Sequence, residues 1–217
     1  MRKTHMNERD WYWRVKMKKV SRALSGNGIK VIIAETAEEA RQKALTLIRK
    51  RASVGLGGSR TMVEIGLLEA LRSGAYRLID QYDAGLSKEA ALKARRGGTQ
   101  AEYFIAGSNA ITEDGKIVNI DGLGNRLAGF SFGPGKVIIV AGRNKIVRDV
   151  AAAVERIKNV AAPMNARRFG AATPCAKTGE CSDCASPDRI CNLTLIIEKQ
   201  RTPGRMTVIL VNQELGF

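Results

Sequence analysis

Histidine is nearly absent from this chain of 217 residues, with His5 the single copy. It stands in a charged terminal stretch, so Ser-His and Cys-His catalysis and histidine metal sites are not expected. Aromatics are also scarce, at 5%, and both tryptophans, Trp11 and Trp13, fall in the first segment. No apolar run approaches the ~18 residues needed to cross a bilayer, so no membrane span is expected. MRKTHMNERDWYWRVKMKKV lacks the apolar centre of an export signal, which points to a cytoplasmic protein. Acidic residues are outnumbered, 21 against 36 basic ones, for a formal charge of +15.

What is present fits a globular α/β chain with a large core and a small appendage. The excess charge is uneven: residues 1–30 carry nine Lys or Arg against Glu8 and Asp10. A basic surface favours polyanions through counterion release. No nucleic-acid fold motif accompanies it, however, and a basic face also suits phosphorylated or carboxylate metabolites. Nucleic acid is therefore the disfavoured partner, and a small anionic metabolite the favoured one. Residues 1–28 read as a basic N-terminal helix ended by Gly26 and Gly28, and 29–217 as the main domain.

Strand and helix patterns alternate through that domain. Lys30–Ala34 reads as a strand, Thr36 with Glu39 as a capping box, and Ser53–Leu56 as a second strand. The strand runs into GLGGSRTMVEIGLLEALRSG, in which Val63, Leu67 and Leu71 suggest one helix. Arg77–Asp80 reads as a third strand and Ser87–Arg96 as another helix. Tyr103–Gly107 and Lys136–Gly142 are short, apolar and buried in pattern, and Asn144–Val160 repeats Ile146, Val150, Val154 and Ile157 at helical spacing. Such serial units imply an open, mainly parallel sheet with helices on both faces. NLTLIIEKQ and MTVILVNQELGF, separated by Pro203 and Gly204, read as a C-terminal β-hairpin over 193–217.

Open α/β sheets bind ligands at the carboxyl ends of their strands. The glycine turn Gly57, Gly58, Ser59 and Thr61 exposes amides toward an anion, although an ordinary strand-to-helix turn explains it equally. The segment between the two central strands carries Ser108, Asn109, Thr112, Glu113, Asp114, Asn119, Asp121, Gly122, Gly124 and Asn125. Turn formation alone also accounts for many of these. Arg143, Asn144 and Lys145 follow the VIIVAG strand as anion-binding candidates, and Glu113, Asp114 and Asp121 are the available acid or base groups. After Pro163 the composition changes: all four cysteines, Cys175, Cys181, Cys184 and Cys191, fall within the segment 163–192. Their spacing C-x5-C-x2-C-x6-C allows zinc or an iron–sulfur cluster, 4Fe-4S among them, and equally disulfides or free thiols.

The stretches GLGGSRTMVEIG, FIAGSNAITEDGKIVNIDGLGNRLAG, VIIVAGRNKIV, APMNARR and CAKTGECSDCASPDRICN together resemble the LUD-domain, or lactate-utilization, family from about residue 30 to 217. That resemblance implies the Rossmann-like open α/β sheet shared by ribose-phosphate isomerases, glucosamine-phosphate deaminases and CoA transferases. It also implies a small component of an iron–sulfur, multi-subunit system for L-lactate oxidation, with other lactate-oxidation subunits as partners; the fold is compatible with a homodimer. Fold-mates bring sugar phosphates and CoA esters in as alternative ligands. The central segment resembles methylthioribose-phosphate isomerases at Gly107, Gly115, Asn119 and Gly122. Asn109 replaces their acidic residue and Ile120 their lysine, so their isomerase chemistry does not carry over.

Overall fold

The structure is a computed structural model that describes residues 7–217; His5 lies outside the described residues. Helix α1 (Glu8–Gly26) opens where the Asn7 side chain accepts a hydrogen bond from the Asp10 amide at 2.9 Å, satisfying one of the free amides of a first turn. Its Met17, Val20 and Leu24 recur at helical spacing and are fully buried, while Trp11 and Tyr12 face out. Strand β1 (Lys30–Ala34) follows, and Thr36 then caps α2 (Ala37–Thr46). Glu39 reaches back as a capping-box residue does, but to the Glu35 amide at 2.7 Å.

Strand β2 (Ser53–Leu56) leads into two short helices, α3 (Arg60–Glu64) and α4 (Leu67–Arg72), where one was expected. Gly66 between them has φ +68°, a left-handed conformation that glycine adopts freely and that interrupts a right-handed helix. Val63, counted toward the apolar stripe, is exposed as a result. After β3 (Arg77–Ile79), α5 (Lys88–Gly98) starts at its Ser87 cap and runs past the expected end at Arg96 to take in Gly97 and Gly98.

Strand β4 (Tyr103–Gly107) is followed by β5 (Ala110–Thr112) and β6 (Ile117–Asp121), so most of the expected polar loop is an antiparallel hairpin. Helix α6 (Asn125–Ser131) and β7 (Lys136–Gly142) follow. A 3-10 turn, Arg143–Lys145, then gives way to β8 (Ile146–Val147), which pairs with β5. The helix expected from Asn144 therefore begins only at α7 (Val150–Arg156), capped by Asp149. It continues through a π-helical turn (Ile157–Ala161) into α8 (Ala162–Phe169), and α9 (Pro174–Thr178) opens the cysteine segment.

The last two strands correct the expected hairpin: β9 (Leu193–Ile197) pairs antiparallel with β6, whereas β10 (Met206–Val211) lies between β1 and β7 in the main sheet. All six residues of β10 are buried, as a central parallel strand covered on both faces requires. The main sheet has the order β1-β10-β7-β4-β2-β3, with every pair parallel. The smaller sheet runs β8-β5-β6-β9.

Alternate residues of the central strands enter opposite cores. Val137, Ile139, Met206 and Val208 pack with α1, whereas Ile138, Val140, Ile209 and Val211 pack with α2 to α4. A third cluster joins Ala110, Val118 and Ile120 of the small sheet to Ala153 and Ile157. No helix among the described residues is long and apolar enough to cross a membrane.

Candidate functional site

Because the main sheet is wholly parallel, β2, β4, β7 and β10 deliver their carboxyl ends to one edge. The turns leaving them enclose a cavity of about 110 Å³. From the β2 corner come Gly58, Ser59, Arg60 and Thr61, from the β4 corner Ser108 and Asn109, and beyond β7 Lys145. Helix α8 adds Asn165 and Arg168, and Phe217 of the C-terminal tail completes the wall. The β2 and β4 corners touch: a Cβ on Gly107 would sit 2.5 Å from Ser59 Oγ. A side chain there would have to displace the Ser59 hydroxyl.

Arg126 welds the back of the cavity. Its Nε donates to Asp121 Oδ1 at 2.9 Å, and Nη2 donates to Asn109 Oδ1 at 2.7 Å and to the Ile120 carbonyl at 3.0 Å. Asn109 also donates its amide to Asn119 Oδ1 at 2.9 Å. Arg156 ties the neighbouring corners, donating to the carbonyls of Asn144 at 2.9 Å and Asn109 at 2.8 Å. Asn144 in turn accepts from the Leu215 amide at 3.1 Å and donates to the Gly216 carbonyl at 3.3 Å, which pins the tail.

Lys145 is 2% exposed. Burial draws its amine down from the ordinary lysine range to about 7, helped by the charge of Arg156 and opposed by that of Glu64. Arg168 donates from Nε and Nη2 to Asn165 Oδ1 at 2.9 and 2.7 Å, and its guanidinium lies 4.3 Å from the Phe169 ring centroid. Neither bond neutralises its charge. Arg60 pairs with Glu64 at 3.2 Å. Among the described residues the lining thus contains Arg60, Arg126, Lys145 and Arg168 and no Asp or Glu side chain, a composition that attracts anions.

Beside it lies a chamber of about 210 Å³ that shares Gly58, Ser59 and Arg168 and is otherwise mostly apolar, with Leu56, Met62 and Leu68. Tyr82 also lines it, its hydroxyl pushed up to about 12 by burial although part of the residue stays exposed.

Of the residues expected from sequence, Gly58, Ser59, Thr61, Ser108, Asn109 and Lys145 line the cavity, and Gly57 lines the adjoining chamber. The others fall elsewhere. Gly122 and Gly124 shape the turn between β6 and α6, Gly124 at φ +81° and Asn125 opening the helix. Arg143 pairs with Asp10 at 2.9 Å and faces Trp13, while Asn144 braces the tail. Glu113 turns away to Lys16 and Lys19 of α1, each at 2.9 Å, which hold its carboxyl below the usual range. Asp114 is bound by Thr112 and Lys116, and its carboxyl is likewise lowered. Asp121 is committed to Arg126 and accepts from the Arg126 and Leu127 amides at 3.2 and 3.4 Å. These three carboxylates are structural ties. The cavity residues that sequence reasoning missed are Arg60, Arg126, Asn165 and Arg168. APMNARR marked the last two as part of a resemblance, but nothing in it showed which way that helix faces.

All four cysteines are free and half-buried. Cys191 lines the cavity, its thiol pushed up by burial, and Cys175 borders a groove along α8. Among the described residues no three His, Cys, Asp or Glu side chains are arranged to hold a metal ion. The other three cysteines act electrostatically on Cys191, so the four thiols share one neighbourhood.

A solved DUF162 family protein from Deinococcus radiodurans matches with a TM-score of 0.52 at 17% identity, covering 92% of this chain and 98% of its own. A structure of eIF2B delta from Chaetomium thermophilum overlaps 53% of this chain and 49% of its own, with a TM-score of 0.34 and 20% identity. No curated protein matches. The LUD domain matches residues 17–211, which takes in every strand of both sheets and nearly the whole wall of the cavity; the chain belongs to the LUD domain family.

Proposed function

We propose that this chain binds a small metabolite carrying a carboxylate or phosphate in the cavity at the carboxyl ends of β2, β4 and β7. In this reading it serves L-lactate oxidation as a small-anion-binding component alongside partner subunits. One observation carries the proposal: three arginines and a lysine line the cavity and, among the described residues, no Asp or Glu side chain does. Arg126 and Arg60 are neutralised by Asp121 and Glu64, which leaves Arg168 as the uncompensated charge for the ligand. A guanidinium is the side chain best shaped for bidentate contact with a planar carboxylate or a phosphate. The adjoining apolar chamber favours a second reading, in which the anionic group belongs to a sugar phosphate or a CoA ester whose less polar part extends past Tyr82.

Thermal unfolding at low ionic strength with L-lactate, inorganic phosphate, ribose 5-phosphate and CoA tests both. A ligand that binds only the folded state stabilises it by about 2.7 kcal/mol at a hundred times its Kd. Arg168→Ala is expected to weaken that binding about tenfold or more. Stabilisation by phosphate compounds alone selects the second reading. If none of the four raises the midpoint, or if Arg168→Ala binds as well as the parent, the cavity is not an anion site.

A further inference from the structure

We propose that Lys145 is a nucleophile that condenses with the carbonyl carbon of the anionic metabolite to form a Schiff base. The inference rests on the anion-binding reading and deepens it, naming the substrate class as small aldehydes or ketones that carry a carboxylate or phosphate.

A buried lysine ordinarily meets a carboxylate, since an isolated charge is costly away from water. Lys145 does not. Its nearest carboxylate influence is Glu64, which already accepts from Arg60 at 3.2 Å and from the Gly216 amide at 2.6 Å. The groups of other elements that act on it are the cations Arg156 of α7 and Arg126 of α6, and the cavity adds Arg60 and Arg168. Its backbone is also clamped, because Arg156 holds the preceding carbonyl and Asn144 holds the C-terminal tail. Gly216 of that tail, at φ +60°, would place a Cβ 3.5 Å from the amine. That is an ordinary contact distance, so the tail packs directly beside the amine.

Desolvation and neighbouring cations are the two ways a protein keeps a lysine amine neutral and hence nucleophilic. Both act here, and the amine sits at about 7. The chemistry needs no oxidant or reductant. The nitrogen lone pair forms a C–N bond while the carbonyl π pair moves to oxygen, and a proton passes from nitrogen to that oxygen. The carbinolamine then loses its hydroxyl as water as the C=N bond forms. Arg168 would hold the anionic group meanwhile, and the cationic lining would disfavour aldehydes without one.

Glyoxylate, the smallest aldehyde with a carboxylate, is the probe, with sodium borohydride to trap the imine and peptide mass mapping to locate it. The full chain is expected to be labelled at Lys145 about tenfold more than at any other lysine. Trapping should quicken as pH rises through about 7, inorganic phosphate should protect, and propionaldehyde should label Lys145 far more slowly. Lys145→Arg should lose the adduct yet keep the phosphate-induced thermal shift. The wild-type map decides the matter even if that variant fails to fold. Arg168-dependent stabilisation by glyoxylate without labelling of Lys145 would overturn the nucleophile and leave the anion site standing. Neither stabilisation nor labelling would overturn both, and equal labelling by propionaldehyde would overturn the anionic substrate class.

Discussion

Arg126 is 8% exposed and spends its guanidinium on two backbone carbonyls, one amide side chain and one carboxylate. It holds the carboxyl end of β4 to the end of β6, and Asp121 neutralises it. Removing one partner of a buried pair costs about 3–5 kcal/mol, because the other charge is left uncompensated. Asp121→Ala is therefore expected to lower the urea midpoint by that amount of stability with the m-value unchanged. Intact stability with lost anion affinity would return Asp121 to the ligand. Sequence could name the residue types gathered at the strand ends, which is why Ser59, Asn109 and Lys145 were within reach. It could not say which of two neighbours on α6 points inward. Successive helical side chains diverge by about 100°, and Arg126, not Asn125, faces the cavity.

At the scale of elements, strand and helix order was largely legible, and the departures have local causes. LTLII and MTVILV look alike in composition and flank a Pro-Gly turn, so hairpin geometry was the natural inference. The difference lay in environment: β9 keeps Leu193 and Ile196 exposed at the edge of the small sheet, whereas β10 is buried throughout. A continuous apolar run marks a central parallel strand. The π turn before α8 had no sequence period to reveal it. The Ala162 amide bonds back to the Ile157 carbonyl, five residues away, immediately before Pro163. Proline has no amide to donate, and its ring crowds the carbonyl four residues back, which a widened turn relieves. That turn sets the phase of α8, and with it whether Asn165 and Arg168 reach the cavity. Pro163→Ala restores the amide and allows a regular α turn. It gives up proline packing but gains a helix-compatible residue, contributions of opposite sign to stability. Phosphate affinity, measured by calorimetry, should fall about tenfold, or about 1.4 kcal/mol, with little change in melting temperature. Unchanged affinity would mean that the π turn does not govern the site.

For the molecule as a whole, the formal charge of +15 is only partly a free surface charge. On α1, Lys16 and Lys19 close on Glu113, and Arg14 meets Glu35 at 3.0 Å. Inside the cavity the same excess becomes a cost of folding, and Lys145 bears it most directly. The folded chain holds this amine near 7 against an ordinary 10.5, so between those values the unfolded chain keeps a proton that the folded one has shed. Stability must then rise with pH across that window, by up to about 1.4 kcal/mol per pH unit from this group. Below about 7 the full penalty of a buried, unpaired ammonium applies. Lys145→Met fills a similar volume without a titrating amine and so has no such slope. Urea unfolding of both proteins should find the variant more stable at about pH 6, with its advantage shrinking steadily toward about pH 10. Taking the difference cancels every other titrating group the two proteins share. A difference that stays constant with pH would show that the amine keeps its proton when folded, and a buried permanent cation could not act as the nucleophile.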